Sequence, residues 1–248
     1  MSEHNDTDRR FAVRANIWTL KLARNWLKVV LTLLVIYVAL PFAAPALMKA
    51  GISGPANVIY NAYSPLCHQF AFRSFFLFGE QPVYPRANAG SEWTSFDSYA
   101  QNLPEFEGVN LDEFGIDLVN AARRFRGNEE LGYKVTLCER DIFIYLALTL
   151  GGFLYAIPGV RRRLRPVPIW LYVLMGLGPI GLDGFSQLLG YPPFNLWPPR
   201  ETLPIFRVVT GALFGFMNAW LAFPYLERAM YDTRVQIQTK LHNAGIYV

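Results

Sequence analysis

The sequence has few charged residues for a chain of its length. Asp, Glu, Lys and Arg make up 17% of 248 residues, whereas a soluble domain usually has about a quarter. With two cysteines and three histidines, there is also little material for a metal cluster. P-loop, GxGxxG, GxSxG and HExxH motifs are missing, which removes the common signatures of nucleotide binding, hydrolases and metalloproteases. Arginines are scattered, so nucleic-acid binding is not expected.

Long uncharged runs are abundant instead. Four windows of roughly 17–20 residues lack charge, which is the length that crosses a hydrocarbon core of about 30 Å. They are residues 29–48, 142–160, 166–182 and 208–226. Pro41 and Pro45 are expected to kink the first window, since each removes a backbone donor. The sequence therefore predicts an all-α membrane protein with four transmembrane helices and the lipid bilayer as its main partner.

The basic residues predict the orientation. They precede the first window, form the turn Arg161-Arg162-Arg163-Leu164-Arg165 between the second and third, and follow the fourth. With four spans, these regions lie on one side, which the positive-inside rule assigns to the cytoplasm. We expect a multi-pass protein of the cell membrane, inner or plasma, with cytoplasmic N- and C-termini. The polar start and the late first apolar run are not typical of a cleavable signal peptide.

Residues 1–28 form a basic amphipathic segment ahead of a four-span membrane domain, residues 29–248. On a helical wheel, Arg10, Arg14, Lys21, Arg24 and Lys28 lie within about 80° of one another. Two interpretations remain open. The segment is either a helix lying on the anionic inner leaflet or a cytoplasmic extension of the first span.

Two segments on the outer side are expected to differ in character. Residues 52–79 are apolar but interrupted by Gly, Pro, His and Arg, which favours an interfacial or re-entrant segment. Residues 80–137 contain ten acidic and five basic residues, and are predicted to form a small extracytoplasmic cap. Within this insertion, Asn110-Leu111-Asp112-Glu113 resembles a capping box that begins a helix reaching Arg126.

Polar motifs recur at the predicted outer ends of the spans. They are Cys67-His68-Gln69, Arg73-Ser74-Phe75, Cys138-Glu139-Arg140-Asp141, Asp183-Gly184 with Gln187, and Arg207 with Thr210-Gly211. In this order they resemble the motifs of a family of small prokaryotic membrane proteins, domain of unknown function 2085, over residues 60–79 and 138–215. The resemblance supports the fold and the place of a site, but it implies no activity. The sequence departs from the family pattern in having Asp141 at a cysteine position and an expanded linker after the first motif.

The chemistry of Cys67 and Cys138 has several interpretations. Both cysteines face an oxidising compartment in the predicted topology, so a structural disulfide is the simplest one. Alternatively, Cys67, His68, Cys138 and Asp141 supply two thiolates, an imidazole and a carboxylate, which is an acceptable set for zinc. A third interpretation is that neither forms.

The other polar residues of the motifs predict a cluster at the outer rim, consisting of Gln69, Arg73, Arg140, Asp183, Gln187 and Arg207. Asp183 and Arg207 lie at similar depth on antiparallel helices, so we expect them to pair, since an unpaired charge near hydrocarbon is costly. Gly211 and Gly215 have the spacing of small residues that lets two helices approach closely.

No residue pattern in the sequence defines a reaction. We therefore expect a non-catalytic membrane protein, an accessory or structural subunit of a membrane complex. One alternative is a small ion-coupled transporter with Asp183 as a relay. Another is a metal-dependent membrane enzyme in which Glu139 or Asp141 acts as general base.

Overall fold

The computed structural model describes residues 2–247, with side chains from Arg10 to Tyr247. This part of the chain is mostly helical. Its helices are α1 (Ser2–Lys49), α2 (Ser53–Tyr63), α3 (Phe96–Ala100), α4 (Ile116–Arg124), α5 (Glu139–Ala156), α6 (Pro158–Arg163), α7 (Ile169–Leu171), α8 (Gly178–Leu188) and α9 (Pro204–Asn243). Its strands are β1 (Ser74–Leu77), β2 (Gly127–Asn128) and β3 (Gly132–Cys138).

Three helical segments are long and apolar enough to cross a membrane. They are Arg10–Lys49 in α1, Ile169–Leu188, and Pro204–Asn243 in α9. The second is continuous because a π-helical turn, Tyr172–Leu177, joins α7 to α8. α5 has 18 residues, but its first turn contains Glu139, Arg140 and Asp141, and it falls outside this class. Length and composition thus support three of the four predicted spans.

The second predicted span ends too late. α5 stops at Ala156, and Pro158 begins the separate short helix α6. Proline has no backbone N–H and favours the first turn of a helix, so a new helix begins there. Residues 157–160 of the second predicted window therefore lie outside α5.

Two glycines set the distance between α5 and α9. A Cβ added at Gly215 would lie 2.0 Å from the carbonyl oxygen of Ile144, and one at Gly211 would lie 2.6 Å from that of Arg140. Both distances are shorter than any real contact, so only glycine permits this approach. The predicted close packing of the fourth window is confirmed. In the third window an added Cβ at Gly176 would lie 3.1 Å from the Cβ of Met217, whereas one at Gly181 would have no atom within 4 Å.

The helix of residues 10–28 continues into the first span without a break. Leu20 is buried against Ile237 and Leu241 of α9, and Trp26 packs on Phe223. The backbone thus follows the second interpretation, an extension of the span. The side chains of residues 1–9, which the predicted basic segment includes, lie outside the described residues, and the domain division stays a prediction.

A compact aromatic core joins residues 52–79 to the acidic insertion, the two segments predicted to lie on the outer side. Phe70, Phe72 and Phe76 belong to the same buried cluster as Phe96 and Phe125 of the insertion. The second half of residues 52–79 therefore contributes to the core of the acidic insertion, and the interfacial or re-entrant placement of this segment stays a prediction. Before it, α2 packs on the end of α1 through Tyr60 and Ala56.

The predicted capping box is wrong. Gly115 occupies the N-cap position of α4, which begins at Ile116. The side chain of Asn110 instead accepts a hydrogen bond from the backbone N–H of Asp112 at 2.9 Å. This local bond between a side chain and the backbone two residues later forms a turn, an alternative that Asn offers to a helical start.

Candidate functional site

A cavity of about 540 Å³ brings the sequence motifs together. Among the residues that line it are nine of those singled out from the sequence: Cys67, His68, Gln69, Arg73, Cys138, Arg140, Asp141, Gln187 and Arg207. Asp183 is adjacent through its bond to Arg140. Motifs separated by about 140 residues in sequence thus form one site, as their placement at one rim predicts.

Strand pairing brings the Arg73-Ser74-Phe75 motif next to the motif that begins with Cys138. β1 and β3 are antiparallel, and Ser74 lies opposite Cys138. Cys138 ends β3 and is also the N-cap residue of α5, where its Sγ accepts a hydrogen bond from the Asp141 N–H at 3.5 Å. The sheet therefore places the second cysteine at the start of a helix, beside the segment that contains the first.

The segment around Cys67 is a tight turn. Gln69 has a positive φ of 56°, a conformation that non-glycine residues rarely adopt. This turn directs the N–H of Gln69 onto Cys67 Sγ at 3.5 Å. The N–H of Cys138 donates to the same sulfur at 3.2 Å. Gln69 is held in place because its side-chain amide donates to the carbonyl of Tyr60 at 2.9 Å.

The two sulfurs and one carboxylate converge. Cys67 Sγ, Cys138 Sγ and a carboxylate oxygen of Asp141 all lie within 4.8 Å of one another. The cysteines are free thiols. A hydrogen bond to Cys67, with burial as the next cause, raises the pKa of Cys138 well above its usual value.

His68 lies outside the group of three. It lines the cavity but is exposed, and its ring lies 5.2 Å from the ring of Phe70. Adjacent residues point in different directions in this extended turn, so Cys67 turns inward and His68 outward. The four-residue zinc set expected from the sequence is reduced here to Cys67, Cys138 and Asp141.

The predicted ion pair between Asp183 and Arg207 is wrong. Within the described chain, Asp183 pairs with Arg140 and, at 3.2 Å, with Arg200. Its carboxylate also accepts a hydrogen bond from Thr202 at 2.6 Å. Asp183 and Arg207 were predicted to pair because they have a similar depth on two helices. Arg140 of α5 lies closer to Asp183 and forms the ion pair instead.

Arg207 instead shares Glu201 with Arg73. Both guanidinium groups donate to Glu201, and the hydroxyl of Tyr191 donates to it at 2.7 Å. Burial acts to raise the pKa of Glu201, but Arg73 and Arg207 together outweigh it and lower that pKa. Arg207 also lies 3.6 Å from Glu139, whose two carboxylate oxygens are buried and accept no hydrogen bond.

Glu201 and Lys134 were missed by the sequence analysis. The sequence does contain an indication of the role of Glu201, since it is the only acidic residue between Asp183 and Glu227 and Arg207 follows it closely. No sequence pattern indicates a role for Lys134. It is completely buried and donates to the carbonyls of Gln69 at 2.7 Å, Ala122 at 3.0 Å and Arg123 at 2.9 Å. Burial, followed by the charge of Arg126, lowers its pKa to about 7.

Most charges around the cavity have a partner of opposite sign. Arg73 and Arg207 share Glu201, and Arg207 also lies beside Glu139. Arg140 and Arg200 share Asp183. Among the described residues, the carboxylate of Asp141 has no ion-pair partner. The cavity wall thus contains one carboxylate without a counter-charge, and that carboxylate lies next to two thiols.

The apolar helices and the charged cluster at one of their ends define an α-helical membrane protein. The model of a family described as predicted membrane protein (DUF2085) matches residues 126–221, which confirms the resemblance. The match contains Cys138, Asp183 and Arg207, whereas Cys67 precedes it. An uncharacterized protein of Methanocaldococcus jannaschii, MJ1492, is 21% identical over 216 residues, which is 85% of this chain and 97% of that protein. No solved structure matches the chain.

Proposed function

We propose that the protein is a non-catalytic accessory subunit of a membrane complex that crosses the membrane four times, with α5 as the additional span. α5 packs between α1 and α9, and its 18 residues extend about 27 Å at 1.5 Å per residue. Its three charged residues are confined to the first turn. At this end Arg140 is paired with Asp183 and Glu139 lies beside Arg207, so the membrane-facing length of α5 carries no charge.

The basic turn supports an orientation with the cavity outside. Arg161, Arg162 and Arg163 lie in α6, just after the end of α5 opposite to the cavity. Short basic turns remain in the cytoplasm. In this arrangement both termini are cytoplasmic, and residues 80–137 form an acidic cap on the outer surface of the cell membrane. Reporter fusions after Tyr247 and within the exposed turn at Gly90 test this topology. A reporter at Gly90 that is active only in the cytoplasm contradicts it.

The observation that carries the non-catalytic assignment is that the carboxylates around the cavity are paired with arginines, with the exception of Asp141, which has no ion-pair partner among the described residues. Acid–base catalysis needs a group whose lone pair or proton is directed at a substrate. The carboxylates of Asp183 and Glu201 are instead engaged by arginines. Such a wall can bind and orient a ligand or stabilise the fold, which is the role of an accessory subunit.

Purification from native membranes tests this proposal. The full chain with a C-terminal tag, extracted in mild detergent, should elute with other subunits in a fixed ratio, at a mass well above 28.2 kDa. Native mass spectrometry then gives the stoichiometry. A preparation that contains only the single chain, at every detergent concentration that keeps it folded, overturns the proposal.

An ion-coupled transporter is the second candidate, because of Glu139. This buried carboxylate lies within a proposed span and accepts no hydrogen bond, and ionisable groups inside membranes often relay protons. In proteoliposomes, a pH gradient should then drive a flux that Glu139→Gln abolishes. Asp117→Asn, at an exposed acid of α4, is the control that should preserve it.

A further inference from the structure

We infer that Cys67, Cys138 and Asp141 bind a thiophilic divalent metal ion, of which Zn²⁺ is the representative, with one coordination position open to the cavity. This inference deepens the proposed function, since it assigns a ligand to the cavity of the accessory subunit. It depends on three observations: the convergence of the three side chains, the direction of the surrounding backbone N–H groups, and the carboxylate of Asp141, which has no ion-pair partner among the described residues.

The convergence gives the donor set. Two sulfurs and one carboxylate oxygen lie within 4.8 Å of one another, so small adjustments of the side chains bring them around one ion. Zinc binds thiolate sulfur at about 2.3 Å and carboxylate oxygen at about 2.0–2.2 Å, usually in a tetrahedron. Structural zinc sites usually have four protein ligands, and three protein ligands with a fourth position for water or substrate are typical of catalytic sites. In a non-catalytic subunit the fourth position would instead hold water or the ligand of the cavity.

The backbone is arranged to stabilise thiolates. Cys67 Sγ accepts hydrogen bonds from the N–H groups of Gln69 and Cys138, at 3.5 and 3.2 Å. Cys138 Sγ accepts one from the N–H of Asp141 at 3.5 Å, at the N-terminal end of an 18-residue helix. Hydrogen bonds to sulfur and a helix N-terminus both stabilise a thiolate, the form that ligates metals. Without an ion, the hydrogen bond to Cys67 and burial outweigh this effect and raise the pKa of Cys138, so metal binding would release its thiol proton.

Asp141 is the charged member of the donor set. It has no ion-pair partner among the described residues, whereas the guanidinium groups of Arg73 and Arg140 are bonded to Glu201 and Asp183. The ammonium group of Lys134 is directed at three carbonyl oxygens. A divalent ion would displace the two thiol protons and pair with the carboxylate of Asp141.

Cobalt binding tests the inference on the intact protein. The full chain is purified in detergent with a reductant, stripped with a chelator and titrated with Co²⁺. The expected result is one equivalent of Co²⁺ with the intense thiolate-to-cobalt absorption, which Zn²⁺ then displaces. Cys67→Ser and Cys138→Ser should each remove that absorption. Asp141→Asn should weaken binding at least about tenfold, the loss typical of an impaired metal site.

His68→Ala is the matched control, because His68 lines the cavity but lies outside the group of three. It should bind Co²⁺ with the affinity of the wild type. Circular dichroism and the unfolding temperature of each apo variant establish that the fold is retained. If a variant does not fold, cadmium titration of the wild type, read by the thiolate-to-cadmium absorption, gives the same test.

Two results overturn the inference. One is a reduced, folded wild type that shows no thiolate absorption with either Co²⁺ or Cd²⁺. The other is a chain isolated from membranes without reductant whose intact mass lacks two hydrogens and which cannot be alkylated until it is reduced, since this result establishes a disulfide. Neither result affects the co-purification of partner subunits, so a failure here is separable from a failure of the proposed accessory role.

Discussion

Arg207, in the first turn of α9, donates to Glu201, which lies six residues earlier in the loop before that helix. The same carboxylate accepts bonds from Arg73, which follows the first cysteine motif. One acid in a short loop therefore connects the last helix to the segment that contains Cys67. The two arginines depend on it for charge compensation, since both are largely buried.

Glu201→Gln should destabilise the fold by about 3 kcal/mol or more, because it removes the acid that two largely buried guanidinium groups share. Arg207 keeps Glu139 at 3.6 Å, whereas Arg73 loses its ion pair with Glu201. The measurement is the free energy of unfolding in a denaturing-detergent titration. Glu92→Gln, at an exposed acid, should change it by less than about 0.5 kcal/mol.

The same carboxylate also predicts a pH dependence. The folded pKa of Glu201 is lowered, so its contribution to stability is fully present above the unfolded pKa of about 4.3. It is lost as the pH falls through the lower folded value. The wild type should therefore lose its advantage over Glu201→Gln at acidic pH. A constant difference between the two proteins would argue against this assignment.

Asp183 should be coupled to Arg140 and not to Arg207. In a double-mutant cycle, Asp183→Asn combined with Arg140→Gln should give an interaction free energy of about 0.5–3 kcal/mol. The matched cycle with Arg207→Gln should be additive within about 0.5 kcal/mol. Equal coupling in the two cycles would restore the pair that we expected from the sequence.

Gly215→Ala should destabilise the protein by a few kcal/mol, since the added Cβ would lie 2.0 Å from the carbonyl oxygen of Ile144 and α9 would be forced away from α5. Gly181→Ala is the control, because no atom lies within 4 Å of its added Cβ. This substitution should be neutral or slightly stabilising, as alanine favours a helix over glycine. Thermal unfolding in detergent compares them. Equal unfolding temperatures would mean that α5 and α9 are not in close contact.

Lys134 should make the wild type more stable as the pH rises from about 7 to about 10. Its folded pKa is lowered to about 7, so between this value and the unfolded pKa of about 10.4 the unfolded chain binds more protons. Stability therefore increases across that window, by about 1.4 kcal/mol for each unit of pKa difference. Below pH 7 the fold carries the full cost of burying the charge.

Lys134→Met isolates this contribution. The variant loses the bonds to three carbonyl groups, which shifts its stability at all pH values, but it should lack the rise above pH 7. The difference between the two unfolding profiles is the relevant quantity. Parallel profiles from pH 6 to pH 10 would show that the lysine does not titrate in this range.

The sequence predicted the long apolar helices best, because a long run of uncharged residues favours a single structure in a bilayer. An uncharged run of about 20 residues has few stable states in a bilayer other than a helix. α1, the helix of residues 169–188 and α9 follow this rule. The ends of helices were less predictable. The second predicted helix ends earlier than expected, before Pro158, and α4 begins later than expected, after Gly115. Single residues with special backbone geometry decide such boundaries.

The site was predicted as a set of residues but not as a set of pairs. The motifs placed Cys67, Cys138 and Asp141 at one rim, and they do converge. Which arginine meets which carboxylate depended on Glu201, a loop residue, and on the rotation of α5 against α9. Neither has a sequence signature, since ion pairs form across whatever groups the packing brings within a few ångströms.

The sequence by itself determined that the chain is helical and apolar, where its basic turn lies, and which polar residues share one rim, because hydropathy and charge spacing act locally along the chain. Only the tertiary structure decided that two thiols and Asp141 face one another while His68 turns away, and that Glu201 serves Arg73 and Arg207 together. These arrangements follow from the pairing of β1 with β3 and from the close contact at Gly211 and Gly215. Contacts between segments that are distant in sequence depend on how the elements pack, and a local sequence pattern does not predict this packing.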